Sequence, residues 1–325
     1  MYIYRDPLWL NYCAKQERKA VRFSGNCIGG TLLIAFAASY LIQTILVAVL
    51  AATDTLYIIN DPMFKIVLQL VFSALMFVPP FIILAKLTDF RLGDLFAHKK
   101  IEPSDGFWFV CFGMLVSLGA NYIVNIWASV LESAGASTDY GSIDMPSSVG
   151  GLILWIFTMS LLPAFIEEFA FRVVILGSLR RFGDAFAIFA SAMLFGLIHA
   201  NAIQIPFAFI LGLCFAYITV VSGSVIPAMI IHFLNNFNSC VVEAVGAHFG
   251  EGGEMLISLL IMIFYVITGS IAVFMLKNKN YFRKKLYKPH SVSSPGMTFA
   301  AFLSSPCIII AASLFLLEAL YLISL

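Results

Sequence analysis

Nine stretches of the chain, at about residues 27–51, 64–86, 106–131, 150–179, 185–200, 203–221, 224–247, 255–276 and 298–324, are almost uniformly apolar. A helix needs about 20 mostly apolar residues to cross hydrocarbon, and a single segment satisfies its own backbone N–H and C=O groups there only as a helix. The fold class is therefore an all-α polytopic membrane protein with about nine (eight to nine) transmembrane helices. Only HANAI separates the fifth and sixth runs, and the fifth is short unless it borrows from its flanks. Charged residues are 11% of the 325, against about one-quarter in soluble domains, so no soluble domain is expected. Residues 1–26 lack the ordered parts of a cleaved signal peptide, and the first span is expected to serve as the insertion signal.

The 19 Lys and Arg nearly cancel the 18 Asp and Glu. Total charge thus points to no nucleic-acid partner, and placement carries the information. With the N-terminus cytoplasmic, Arg5, Lys15, Arg18, Lys19, Arg22, Lys86, Arg91, Lys99, Lys100, Arg180, Arg181, Lys277, Lys279, Arg283, Lys284, Lys285 and Lys288 share one side; only Lys65 and Arg172 fall elsewhere. The opposite connections hold Asp54, Asp61, Glu132, Asp139, Asp144, Glu251 and Glu254. Cytoplasmic loops carry the excess of Lys and Arg, so a multi-pass protein with its N-terminus inside is expected. Six cysteines lack CxxC or metal-ligand spacing and read as packing thiols. No inverted repeat or low-complexity region is evident.

Ionisable groups inside spans cost roughly 2.5–3.5 kcal/mol each on insertion scales, which makes each a candidate for function. They are Glu167, Glu168 and Arg172 on span four, His199 on span five, and His232 on span seven, beside the amides Asn235, Asn236 and Asn238 and followed by Glu243. At about 100° per residue, Glu168 and Arg172 share a helix face and suit each other as an i, i+4 pair. Glu167 then lies about 140° from Arg172, free to face a polar cavity. His232 and Asn236 are one turn apart, with Glu243 continuing their stripe. Counted from the cytoplasmic ends at 1.5 Å per residue, Glu167, His199, His232 and Asn236 reach about 20, 22, 14 and 20 Å, depths compatible with one site. Plainer readings remain for each taken alone: both acids neutralising Arg172, a His and Asn pair bonding neighbouring helices, and His199 packed on Phe195.

A carboxylate kept from water, placed beside one histidine, can hold and deprotonate a water. A second histidine and an asparagine amide can then stabilise the oxyanion formed when that water attacks an amide carbonyl. No GxSxG or HExxH occurs, and Ser160, Ser178, Ser191, Ser222 and Ser224 lack a nucleophile signature. Two histidines with one or two glutamates could also bind zinc with an open position; the set, if a metal is present, is His199, His232 and Glu167.

Three motifs in order now carry a resemblance: EEFAFR (Glu167, Glu168, Arg172), FGLIH (Phe195, His199) and HFLNN (His232, Asn236). They resemble the EExxxR, FxxxH and HxxxN motifs of the CPBP (CAAX protease and bacteriocin-processing) intramembrane proteases, which include the Ras-converting CAAX endopeptidase and bacteriocin-processing or immunity proteins. The likeness covers about residues 150–245, and no motif position departs from the pattern. It implies that Glu167 and His199 activate water, that His232 and Asn236 stabilise the oxyanion, and that Glu168, Arg172 and Phe195 support the motifs. Both metal-dependent and metal-independent mechanisms belong to the family, so the cofactor is open, with zinc as the candidate.

The expected organisation is residues 1–149 as an N-terminal segment with three spans, 150–247 as a catalytic core of spans four to seven, and 248–325 as C-terminal spans with a basic cytoplasmic loop. The expected protein is an intramembrane endopeptidase of the bacterial plasma membrane, taking a lipidated or hydrophobic peptide or protein from the bilayer. The competing readings are a non-enzymatic scaffold or immunity protein and a small transporter; the missing repeats weigh against the last.

Overall fold

The computed structural model describes residues 6–88, 101–136 and 143–323; Arg5, Arg91, Lys99, Lys100 and Asp139 lie outside the described residues. The described chain forms α1 (Pro7–Ala52), α2 (Pro62–Leu87), α3 (Pro103–Ser133), α4 (Val149–Phe182), α5 (Asp184–Leu197), α6 (Gln204–Ser222), α7 (Ile226–Asn278), α8 (Pro295–Leu303) and α9 (Pro306–Ile323). No strand occurs among the described residues. Several starts are written locally in the sequence. Asp6, Asp61 and Ser294 each precede a first-turn proline and accept a backbone N–H, from Leu8, Phe64 and Met297. Such a cap satisfies an orphan donor, and proline loses nothing at a position where its N–H has no partner.

The protein is an all-helical, multi-pass membrane protein, but its spans divide differently from the nine runs. Among the described residues six helices, α1 to α4, α6 and α7, are long and apolar enough to cross, with α7 counted once although it holds two apolar arms, and α8 with α9, bent by 68°, makes up to seven. With 14 residues, α5 reaches only about 21 Å, short of a hydrocarbon core of about 30 Å. In α7, the two runs expected at 224–247 and 255–276 are arms of one 53-residue element. At Gly250 the backbone takes φ 67° and ψ −171°, which glycine adopts without a Cβ clash. The chain reverses there. In the first arm Ile231 and Asn235 meet Gly113 and Ser117 of α3, whereas in the second Met262 meets Tyr122 and Gly269 meets Leu115.

One end of the bundle is tied by the basic segment after α7. Lys279 and Tyr281 both bond Asp105 at the start of α3; burial and then that bond push the Tyr281 phenol up to about 12, so it remains a donor. Lys284 Nζ donates to the Val221 carbonyl at 2.8 Å, and the Tyr287 N–H donates to Asp184 at 2.9 Å. Glu17 of α1 accepts from the N–H groups of Val292 and Ser293 and from the Ser291 hydroxyl, at 2.9–3.0 Å. The basic loop is thus a strap across α1, α3, α5 and the end of α6.

Packing against α1 uses a small-residue face. Gly25 and Gly29, four apart, bring α1 against Ser305 and the Cys307 backbone, where α8 breaks into α9. Close backbone approach at such a pair is a usual membrane-helix contact. In the core, rings of Phe77 and Phe81 on α2 meet Phe171 on α4, which meets Phe195 on α5 edge-on at 5.1 Å. Gly29→Leu is expected to displace α9 and cost about 1–3 kcal/mol by overpacking, seen as a lower unfolding temperature of the solubilised protein. Gly30→Leu, where a Cβ meets nothing within 4 Å, is expected to leave that temperature unchanged.

Candidate active site

The helix that carries the two acids is not uniform. Within α4, Phe157–Leu161 and Phe169–Leu176 are π-helical, a widening that recurs at functional sites. The even 100° step behind the expected 140° offset of Glu167 from Arg172 therefore does not hold there. Pro163 follows the first widened turn and has no N–H to offer the Met159 carbonyl. Asn236 Nδ2 donates to that carbonyl instead, at 3.3 Å, which docks the first arm of α7 on α4.

Arg172 is 1% exposed and Glu168 is fully buried. Their closest approach, Nε to Oε2 at 2.9 Å, is an ion pair, supplemented by a bond from a terminal nitrogen to Glu168 Oε1 at 3.4 Å. The guanidinium lies 4.4 Å above the Phe195 ring and 5.5 Å from that of Phe215, where the negative ring faces attract a cation. Ser191 takes a further, long bond at 3.5 Å and passes its own hydroxyl hydrogen to the Phe171 carbonyl. Glu168 does more than neutralise Arg172, as sequence spacing alone had it: its Oε1 also lies 3.1 Å from His232 Nδ1. A carboxylate only accepts, so Nδ1 carries the hydrogen.

His232 is held between the acids. Its Nε2 lies 3.9 Å from Glu167 Oε2, beyond hydrogen-bond range, and its ring stacks on Phe215 at 5.6 Å. Glu167 is set apart from its neighbour in the way the two residues are used. Its side chain is 17% exposed, and its Oε2 is buried with no hydrogen-bond partner. Buried polar atoms in folded proteins nearly always have one; among the described residues Thr158 Oγ1 is likewise unbonded, while Glu168 Oε2 and Arg172 Nε meet as an ion pair.

His199 ends α5, at a turn where Ala200 takes φ 47° and Asn201 Oδ1 accepts the Ile203 and Gln204 N–H groups that open α6. Its Nδ1 bonds the Phe195 carbonyl at 2.8 Å; a carbonyl only accepts, so Nδ1 donates and Nε2 keeps a lone pair in the neutral ring. The Phe195 ring touches His199, His232 and Arg172 and is the element that joins the fifth helix to the cluster. Among the described residues, His199 makes no ion pair with either glutamate.

Asn236 is oriented by a relay that sequence spacing did not reveal. The Ser117 hydroxyl bonds Asn235 Oδ1, and Asn235 Nδ2 donates to Asn236 Oδ1 at 3.0 Å. With its oxygen so engaged, the Asn236 amide nitrogen faces α4. Ser117 stands on α3, outside every motif. Glu243, expected on the stripe of His232 and Asn236, lines a separate groove against α3. Among the described residues no three His, Cys, Asp or Glu side chains are arranged to hold a metal ion, so the expected set of His199, His232 and Glu167 is not assembled as a ligand cage.

Residues 149–238 match the family model of the type II CAAX prenyl endopeptidases, Rce1-like. Over these residues the chain is similar to a CAAX-protease domain. The match runs over α4, α5, α6 and the first arm of α7 as far as Asn238, and so takes in the whole acid and histidine cluster. No curated protein and no solved structure matches the chain. In the matched segment, Arg172→Met leaves Glu168 buried without its guanidinium and is expected to cost about 3–5 kcal/mol. Combining it with Glu168→Gln is expected to cost less than the two single losses together, measured by denaturant unfolding in detergent.

Proposed function

We propose that the protein is an intramembrane endopeptidase that cleaves a lipidated or hydrophobic peptide or protein by a water activated between Glu167 and His199. The observation that carries this reading is the buried, unpartnered Oε2 of Glu167 facing His232 Nε2 at 3.9 Å. A group that merely balanced Arg172 would be expected to be hydrogen-bonded as Glu168 is.

The bonding pattern supports the following steps. His199, with Nδ1–H committed to the Phe195 carbonyl, turns a lone pair on Nε2 to the water, and the Glu167 carboxylate accepts its proton. The oxygen of that water attacks the peptide carbonyl. Charge gathering on the carbonyl oxygen is met by the Asn236 amide and by Nε2–H of His232 when both ring nitrogens are protonated. Glu168, at 3.1 Å from Nδ1, stabilises that imidazolium, so that Glu168 and the oxyanion balance Arg172 and His232 while Glu167 holds the proton. Glu167 then returns its proton to the leaving amine as the C–N bond breaks. Glu168, Arg172 and Phe195 act through His232 and are positioning residues. The end bearing the strap and the Lys and Arg groups is cytoplasmic by the positive-inside rule, in a bacterial plasma membrane, and the substrate is a peptide or protein that enters from the bilayer.

Glu167→Gln is expected to lower turnover by about 10²–10⁴-fold, the usual worth of a general base, in a protein that remains folded and inserted. Asn236→Ala is expected to lower kcat by about 10²–10³-fold. Trapping with Glu167→Gln in the native membrane, followed by mass spectrometry of what is retained, supplies the substrate for both measurements. Undiminished cleavage by Glu167→Gln would remove this mechanism.

A further inference from the structure

Between α3 and the two arms of α7 lies a groove of about 740 Å³ that the proposed chemistry leaves unused. Its walls present the amides of Asn121, Asn125 and Asn238, the Tyr265 hydroxyl, and two carboxylates, Glu243 and Glu254. No Lys, Arg or His lines it. Asn121, Asn125, Glu243 and Glu254 are all exposed, with Glu254 close to the reversal at Gly250. Two carboxylates without a cation favour a cationic occupant. A space of this size lies within the range of about 300–1,000 Å³ that holds organic ligands and far exceeds a bare ion. Amides that both donate and accept match the backbone of an extended peptide.

The groove also leads to the candidate active site. Ser117 and Asn235 line it, and Asn235 Nδ2 donates to Asn236 Oδ1, so one wall of the groove is also the support of the oxyanion-binding amide. Along the first arm, Glu243 stands about 10 Å beyond Asn236. Glu254 faces Gly246 across the hairpin, with Oε2 3.0 Å from where a Cβ would sit, a level about 15 Å beyond Asn236. An extended chain covers about 3.3 Å per residue. Those two carboxylates therefore stand opposite positions about three to five residues from a bond held at Asn236.

We propose that this groove binds one flank of the substrate polypeptide in extended form and selects a basic residue about three to five positions from the bond cut; the inference rests on the endopeptidase reading above. The test is binding of dansyl-labelled, ten-residue Ala and Leu peptides bearing one Arg or one Glu to full-length Glu167→Gln protein in phosphatidylcholine nanodiscs. The Arg peptide is expected to bind about ten-fold tighter than the Glu peptide, the scale of one partly screened ion pair. Glu243→Gln with Glu254→Gln is expected to abolish the difference, whereas Glu243→Asp with Glu254→Asp keeps it, as does Glu251→Gln, which lies outside the groove. Equal binding of the two peptides, or an Arg preference unaffected by the Gln pair, overturns the proposal. Cleavage by Glu167→Gln would instead strike the endopeptidase reading and leave a measured, carboxylate-dependent Arg preference standing.

Discussion

A guanidinium sealed inside an apolar bundle has to be neutralised, and the neutralisation of Arg172 organises the four helices from α4 to α7. Glu168 supplies the opposite charge from the same helix, Phe195 of α5 and Phe215 of α6 supply ring faces, and Glu168 passes the constraint to His232 on α7. Breaking a buried pair is far more costly than never having made one, so these helices are held to one mutual arrangement. The same rings then fix the imidazoles: Phe195 lies against both histidines and Phe215 under His232. Through Phe171 the cluster leans on Phe77 and Phe81 of α2, which lies outside the CAAX-protease match.

The two adjacent acids are unlike because their surroundings differ. Glu168 spends its oxygens on Arg172 and His232, whereas Glu167 keeps Oε2 buried and unbonded. An acid already bonded to two partners has little left for a third group. The division of labour proposed for them follows from that bonding and from the π-helical turns that flank the pair. Pro163 adds to the same local design, since it has no N–H to offer the Met159 carbonyl, which Asn236 bonds.

Much of the arrangement was legible in the chain. Apolar run length set the helices, because hydrocarbon tolerates little else. The i, i+4 spacing of Glu168 and Arg172 announced their pair, and Asp or Ser before proline marked helix starts. Segment 185–200 was harder: its apolar run reads as a weak span, and only the turn at His199 to Asn201 shows a 14-residue helix that stops short. The bond from Glu168 to His232 joins residues 64 apart and depends on how helices cross, about which hydropathy is silent. Ser117 is likewise an unremarkable hydroxyl until α3 lies against the first arm of α7.

By itself the sequence determined that this protein is a helical membrane protein, that its Lys and Arg residues are segregated to one end, and that acids, imidazoles and an amide stand on three motifs in family order. These are properties of composition and of short periodic spacing, and neighbours along a chain decide them. Only the tertiary structure decided which acid is occupied and which is free, how Asn236 is oriented, that the basic loop is a strap, and that the second run of α7 folds back along α3. Each of those depends on contacts between distant segments, where packing and the satisfaction of buried polar groups, rather than local propensity, select the partner.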